Sequence, residues 1–89
     1  MIASPSTISF VGRSKRRRDI LAAMKEQELT QAELRKKSNM YKSHLSRSLT
    51  ELAGKKLIFC LNPKDREFKF YKITELGKKV ISEVERITK

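Results

Sequence analysis

The chain has 89 residues, which is enough for one small domain with a thin core. It carries 21 Lys and Arg against 10 Asp and Glu, which gives a net charge of +11. Such a charge attracts polyanions, so nucleic acid and acidic membrane surfaces are the candidate partners. No apolar run approaches the ~20 residues of a membrane span, and serine, threonine and proline interrupt the segment where a signal peptide needs an apolar core. We therefore expect an intracellular protein that does not bind membranes.

Few residues offer catalytic or metal-binding chemistry. The single cysteine, Cys60, cannot form an internal disulfide, and one cysteine with one histidine cannot supply the four ligands of a zinc site. Cys60 lies in an apolar run, which favours a buried structural thiol. The sequence has no glycine-rich phosphate loop and no Ser-His-Asp set. The chain is therefore predicted not to be an enzyme and to need no cofactor or metal, and no small-molecule ligand is indicated.

Residues 1–13 are predicted to be a flexible N-terminal arm, and residues 14–89 the folded domain. The apolar residues that would let the end of the arm dock are Ile8, Phe10 and Val11. The domain begins with Ser14, which can cap a helix running to about Glu26. The apolar residues at helical spacing in this helix are Ile20, Leu21 and Met24.

A second helix is predicted over residues 31–37, after a short strand at 27–29. Thr30 and Glu33 have the spacing of a capping box, in which each side chain accepts the other residue's backbone N–H. Asn39 follows, and asparagine tolerates the left-handed conformation of a tight helix-ending turn. The residues expected to point inward are Leu29, Ala32 and Leu34.

A third helix is predicted from about Lys42 to Ala53, with Gly54 as its stop. The leucines at i, i+4 and i+7 that form its apolar face are Leu45, Leu49 and Leu52. The residues assigned to the opposite, polar face are Lys42, Ser43, His44, Arg47 and Ser48. Two helices joined by so short a turn form a helix-turn-helix, whose second helix fits the major groove of B-DNA.

Two β-like runs at 56–61 and 67–73 flank a turn at 62–66, which predicts a hairpin with a basic tip. The second run places Phe68 and Phe70 on one face and Tyr71 and Ile73 on the other. Both faces are therefore apolar, which indicates that the arm, loops or a second subunit cover one of them.

A last helix is predicted over residues 75–88, with Thr74 as its cap. Its apolar stripe comprises Leu76, Val80, Ile81, Val84 and Ile87. The predicted order is thus helix, short strand, helix, turn, helix, hairpin, helix, an α+β arrangement.

The segment from Thr30 to Ile58 resembles winged-helix transcription regulators, the broad group of MarR-like and ArsR-like repressors and archaeal regulators: TQAELRKKSNMYKSHLSRSLTELAGKKLI. The residues that fall on the core positions of that group are Leu34, Leu45, Leu49, Leu52 and Leu57. The upstream segment RRRDILAAM resembles the first helix of that group. The later segment FYKITELGKKVI resembles the end of its wing and the start of its last helix. The resemblance covers about residues 14–89 and implies a winged helix with a three-helix core, a β-hairpin wing and a C-terminal helix.

The resemblance implies sequence-specific binding of double-stranded DNA by a homodimeric transcription regulator, which would be cytoplasmic and associated with the nucleoid. The recognition helix, about 42–53, would enter the major groove, and the basic wing, 62–67, would contact the backbone or the minor groove. The positions implied to contact DNA are Tyr41, Lys42, Ser43, His44, Arg47 and Ser48 in the helix and Lys64 and Arg66 in the wing.

Three positions depart from the family pattern. Tyr41 stands where the family has a Ser or Thr cap, and Ser38 replaces an apolar residue. Lys56 stands where a glycine usually follows the recognition helix, so Gly54 is expected to provide that turn.

Four consecutive cations occupy the first turn predicted for the first helix: Lys15, Arg16, Arg17 and Arg18. Positive charge there opposes the helix dipole, and only Asp19 relieves it nearby in sequence. Unfavourable charge in a helix without visible compensation often marks a functional site. These four residues are therefore predicted to clamp DNA phosphates, while Arg47 and His44 read bases. The alternative is a helix that starts earlier, near Phe10, with solvated charges.

Three other functions fit the same composition. An architectural DNA-coating protein would have little sequence preference, but Ser, His and Arg on the recognition helix favour a reader over a coater. An RNA-binding winged helix is a second alternative, against which the lack of an exposed aromatic pair counts. A protein-interaction module is the third, and the charge of +11 argues against it.

Overall fold

The computed structural model describes residues 4–25, 27–65 and 69–87. The elements in these residues are α1 (Pro5–Gly12), α2 (Lys15–Ala23), β1 (Leu29–Thr30), α3 (Gln31–Ser38), α4 (Lys42–Gly54), β2 (Ile58–Cys60), β3 (Phe70–Ile73) and α5 (Glu75–Ile87). From α2 onward the order is the predicted one, and the α+β fold is confirmed.

Helix α1 corrects the expectation of a flexible arm. Ser4 caps it by accepting the Thr7 N–H at 3.3 Å, and Pro5 fits the first turn, where no N–H is needed. Val11 is fully buried, and α1 packs against α5 and α2. The apolar end of the arm therefore docks as predicted, but as a helix; residues 1–3 lie outside the described residues.

Helix α2 begins where the sequence predicts. The Ser14 hydroxyl accepts the Arg17 N–H at 3.3 Å, so the alternative start near Phe10 is wrong. The helix ends at Ala23 with Met24 as its C-cap. Glu26, the last residue predicted for it, lies outside the described residues.

The capping box of α3 is present. The Thr30 hydroxyl accepts the Glu33 N–H at 3.1 Å, and the Glu33 carboxylate accepts the Thr30 N–H at 3.0 Å. Asn39 adopts the predicted left-handed conformation, with φ of 55°. Leu34 is buried, whereas Ala32 is exposed and not inward-pointing.

The three strands form an antiparallel sheet in the order β1-β3-β2. The central strand, β3, therefore pairs both with β2 and with the residues that start α3. The Gln31 N–H donates to the Lys69 carbonyl at 3.0 Å, which extends the pairing of β1. The hairpin bond from the Leu61 N–H to the Phe70 carbonyl, at 2.9 Å, likewise extends that of β2.

The turn after α4 differs from the expectation. Gly54 is the last residue of the helix, and its φ is not positive. Lys56 instead takes the left-handed conformation, with φ of 64°. The position where the resemblance places a glycine therefore has a conformation that glycine favours, although a lysine occupies it.

Helix α5 is capped as predicted, because the Thr74 hydroxyl accepts the Gly77 N–H at 3.0 Å. Val80, Ile81 and Val84 are buried, whereas Ile87 is 67% exposed. The fully buried side chains of the core are Val11, Ile20, Leu21, Leu34, Leu45, Leu52, Leu57 and Val80. In the described ranges, no helix combines the length and the apolar character that crossing a membrane requires.

Candidate nucleic-acid interface

Helix α4 turns one face to the core and the other to solvent. Its buried residues are Leu45, Ser48, Leu49 and Leu52. Its exposed residues within the first nine positions are Lys42, Ser43, His44, Ser46, Arg47 and Thr50. Ser48 is only 6% exposed, so its assignment to the DNA-reading face is wrong. The reason is geometric, since Ser48 is three residues from Leu45 and four from Leu52 and thus shares their side of the helix.

Two hydroxyl residues take the place of Ser48 on the solvent side. Ser46 and Thr50 are both exposed, and together with Ser43, Arg47 and Glu51 they line one shallow surface. The Thr50 hydroxyl donates to the Ser46 carbonyl at 2.9 Å, which leaves its oxygen lone pairs facing outward as acceptors. The leucine spacing already contained this information, because at about 100° per residue Ser46 and Thr50 lie farther around the helix from the leucines than Ser48 does.

Arg47 stands at the centre of this surface and has no partner. Its side chain makes no hydrogen bond, ion pair or ring contact with any other residue that the structure describes. The sequence has no Asp or Glu between Leu34 and Thr50. The solvent-facing half of the helix-turn-helix is therefore positively charged, with a free guanidinium available to an acceptor.

Tyr41 and His44 lie at the start of α4. Tyr41 is the N-cap residue but makes no side-chain capping bond, and it is 76% exposed. Its ring meets that of His44 edge to face, with centroids 5.9 Å apart. The tyrosine hydroxyl and the histidine nitrogens are thus held near one another at the helix end that a recognition helix points into a groove.

Helix α3 packs against α4, and a capping box holds its first turn. The Thr30 backbone N–H, followed by its hydroxyl and by Lys37, lowers the pKa of Glu33. Glu33 therefore stays ionised and keeps the first turn of α3 capped, although it adds a negative charge there. Lys36 and Lys37 are exposed on the same helix.

The wing is closed by the side chain of Asn62. Its Oδ1 accepts the Phe70 N–H at 2.8 Å, and the Asp65 N–H donates to the Asn62 carbonyl at 3.0 Å. Lys64 is exposed in this turn, as predicted for a wing-tip cation. Arg66, the second predicted wing residue, lies outside the described residues.

The four-cation run at the start of α2 does not act as one group. Lys15 and Arg16 are exposed. Arg17 is instead committed to the protein: its Nη2 lies 3.0 Å from Glu51 Oε2, and its guanidinium stacks on Phe10 at 3.8 Å. Arg18 is half-buried, with its Nε buried and unpartnered. The uncompensated charge inferred from sequence is thus relieved in part by Glu51, which lies far away in the chain.

The outer face of the sheet carries exposed apolar side chains on both strands of the hairpin. Phe59 is 43% exposed, Leu61 44% and Phe70 40%. Phe59 lies opposite Lys72, and Leu61 is bonded to Phe70 across the hairpin, so all four share one face. Two exposed aromatic rings therefore do exist, contrary to the argument against RNA binding.

The inner face of the sheet brings Cys60 next to Tyr71, its cross-strand partner. Burial, followed by the neighbouring Cys60, raises the pKa of the Tyr71 hydroxyl. Cys60 is half-buried and its thiol lies 3.8 Å from Asn62 Oδ1. The thiol therefore contributes to the packing of the wing, though it is less buried than predicted.

Solved winged-helix structures match this architecture over most of the chain. NadR in complex with 4-hydroxyphenylacetate matches with a TM-score of 0.76 and 23% identity, over 91% of this chain and 60% of that one. Reduced HlyU from Vibrio cholerae matches with a TM-score of 0.73 and 24% identity, over 92% of this chain and 86% of that one. MepR from S. aureus, in complex with DNA, matches with a TM-score of 0.72 and 23% identity, over 84% of this chain and 64% of that one. The winged-helix fold implied by the sequence resemblance is thereby confirmed.

No curated protein matches the sequence. The family model described as the HVO_A0261 N-terminal domain matches residues 5–89, which includes α1 and every later element. The chain therefore belongs to the HVO_A0261 N-terminal domain family.

Proposed function

We propose that this chain binds double-stranded DNA in a sequence-specific manner and regulates transcription. Helix α4 enters the major groove, where Arg47, Ser43, Ser46 and Thr50 meet the base edges. Lys64 and Arg66 of the wing contact the backbone or the minor groove, and Tyr41, Lys42 and His44 contact the sugar–phosphate backbone or bases at the start of α4.

The observation that carries this proposal is the exposed Arg47, which no described residue neutralises, because the carboxylate beside it on this surface, that of Glu51, pairs with Arg17. An arginine in a groove makes a bidentate contact with guanine O6 and N7, the commonest specific contact to DNA. The hydroxyls around it form neutral donors and acceptors, which discriminate among bases better than a uniform lysine face. MepR, which shares the fold, is known in complex with DNA.

The experiment that tests the proposal is selection from random duplex DNA at about 150 mM salt, where non-specific electrostatic binding is weak. We expect one recovered motif. Binding without a motif would favour the architectural alternative, and no binding to any duplex would contradict the proposal. The affinity should fall with salt with a slope of about −0.9 for each phosphate neutralised, and a slope near zero would contradict the electrostatic part.

We further propose that the protein acts as a homodimer. A groove between α1 and α5 exposes mainly apolar surface, and the residues that line it are Pro5, Ile8, Val84 and Ile87, with Ser9, Gly12 and Arg13. Ile87 is 67% exposed there, and a small domain gains stability by covering such a residue with a second copy. A two-fold dimer would favour inverted half-sites about 10 bp apart.

The outer face of the sheet supports a second candidate, binding of single-stranded RNA. Phe59 and Phe70 offer rings on which unpaired bases stack, and Lys72, directly opposite Phe59, adds a cation whose ammonium lies 3.8 Å from Glu28. Competition between the selected duplex and single-stranded RNA of mixed sequence distinguishes the two functions. RNA binding that Phe70→Ala abolishes, in a protein without a duplex motif, would favour this candidate.

A further inference from the structure

The guanidinium of Arg17 connects three helices. Its Nη1 donates to the backbone carbonyl of Phe10 in α1 at 2.8 Å, and its Cζ lies 3.8 Å from the centroid of the Phe10 ring. Its Nη2 lies 3.0 Å from Oε2 of Glu51 in α4. The Arg17 side chain is only 20% exposed, so these contacts direct it toward the protein and away from an external phosphate.

The contact with Phe10 follows from the way α1 ends. The Ser14 N–H donates to the Val11 carbonyl at 3.2 Å, so it does not continue the helical ladder to Phe10. The Phe10 carbonyl is thus one of the unpaired acceptors at a helix C-terminus, where a cation is favourable. Arg17 supplies that cation, and Lys55 Nζ lies 5.4 Å from the centroid of the same ring. The position of the guanidinium is therefore fixed independently of Glu51.

Glu51 is the only acidic residue of α4. It follows Arg47 by four residues, and side chains four apart on a helix are neighbours that attract when oppositely charged. Arg47 nevertheless has no partner, because the Glu51 carboxylate is directed to Arg17 instead. The ion pair thus decides whether the exposed arginine of α4 is free or neutralised within its own helix.

We propose that Arg17 is a positioning residue for DNA binding. Its ion pair neutralises the Glu51 carboxylate, which lines the same surface as Arg47, so that Arg47 stays free for a base and no unpaired negative charge faces the DNA phosphates. This assignment replaces the predicted phosphate contact of Arg17, and it rests on the proposed function.

The test compares four proteins: the wild type, Arg17→Met, Glu51→Gln and the double variant. Methionine keeps an unbranched apolar side chain over Phe10 without the charge. We expect Arg17→Met to weaken binding to the selected duplex by roughly threefold to tenfold, since Glu51 then competes for Arg47 and repels phosphate. In the Glu51→Gln background the same substitution should change the affinity less than about twofold. Any change of the salt slope in Arg17→Met should likewise disappear in the Glu51→Gln background.

A direct phosphate contact by Arg17 gives a different pattern. The loss of affinity would then be equal in both backgrounds, and the slope would fall by about 0.9, which would overturn the inference. Equal affinity of Arg17→Met and the wild type would overturn it as well. Circular dichroism and thermal unfolding show whether each variant is folded at the assay temperature.

If Arg17→Met proves unfolded, Glu51→Gln alone decides. The inference expects this variant to bind at least as tightly as the wild type, and weaker binding would overturn it. A wild-type protein that binds no duplex contradicts the proposed function itself. A wild type that binds, with variants that show no coupling, contradicts only the role of Arg17.

Discussion

Gly77 of α5 lies directly on the backbone of Leu57, the residue before β2. A Cβ placed at Gly77 would be 2.2 Å from the Leu57 carbonyl oxygen and 2.7 Å from Cγ1 of Ile73. The same oxygen accepts the Thr74 N–H at 3.0 Å, so it cannot move away without losing a bond. The last helix therefore reaches the base of the wing only because residue 77 has no side chain.

Gly77→Ala should lower the free energy of unfolding by at least ~2 kcal/mol, because α5 must shift away from the hairpin. Gly54→Ala is the matched control, since nothing lies within 4 Å of a Cβ at that helical position. It should be neutral or stabilising by up to ~1 kcal/mol through helix propensity. Urea denaturation followed by circular dichroism measures both. Equal stability of the two variants would contradict the close approach.

Lys56→Gly should stabilise the fold by up to about 1 kcal/mol, because Lys56 holds a left-handed φ of 64° that a side chain disfavours. Lys55→Gly removes the same charge from a neighbour whose φ is −91°, and it should bring no gain. Thermal unfolding of the two variants gives the comparison. A lower melting temperature for Lys56→Gly than for Lys55→Gly would rule out backbone strain at this position.

Glu33→Gln should remove a pH-dependent part of the stability. The pKa of Glu33 is lowered in the folded chain, chiefly by the Thr30 backbone N–H. A lowered pKa means that the carboxylate stabilises the fold above its unfolded pKa, and that this contribution disappears as the pH falls through the folded pKa. The stability difference between wild type and variant should therefore shrink as the pH falls below about 5 and through the folded pKa. A difference that stays constant over this range of urea titrations would show that the carboxylate does not act as the cap.

Arg47→Ala should relax the preference at particular base pairs while changing the salt slope by about one unit or less. Ser48→Ala is the control from the same helix, since Ser48 is buried and should not touch DNA. Repeating the duplex selection with each variant checks the assignment. An unchanged motif with Arg47→Ala, or an altered one with Ser48→Ala, would mean that α4 presents another face.

Ile87→Lys should convert a dimer to a monomer, because it places a charge in the apolar groove between α1 and α5. The folding of the chain should be little affected, since Ile87 is already exposed. Sedimentation at high concentration, with and without DNA, measures the change, and Ile87→Leu should leave the oligomeric state as it is. A wild type that sediments only as a monomer under all these conditions excludes the homodimer.

Local signals in the sequence predicted most of the fold. The leucine spacing placed α4 and its buried face, and the Thr30–Glu33 pair placed the start of α3, since both depend on residues within one or two helical turns. The helix α1 was missed because serine and threonine around Pro5 resemble a linker. Ser4 followed by Pro5 is nevertheless a capping signal and a favoured first helical residue.

The site was predicted less completely than the fold. Ser48 lies on the core side of α4 because its position relative to the leucines, and not its polarity, sets the side of the helix that it occupies. The Arg17–Glu51 pair joins residues 34 positions apart, so no local pattern connects them. Only the packing of α2 on α4 shows that Arg17, a predicted phosphate contact, instead pairs with Glu51 within the protein.

The sheet also sets a mechanical property of the domain. Thr30 is at once a residue of β1 and the cap of α3, and the next residue, Gln31, donates its N–H to Lys69 just before β3. The base of the wing and the helix-turn-helix are thereby fastened together at two adjacent residues. A hairpin anchored in this way cannot swing freely about its base, so the distance between the wing and the helix-turn-helix is nearly fixed. If the chain binds DNA as proposed, the groove width and the winding of the duplex must match this distance before any single base is read.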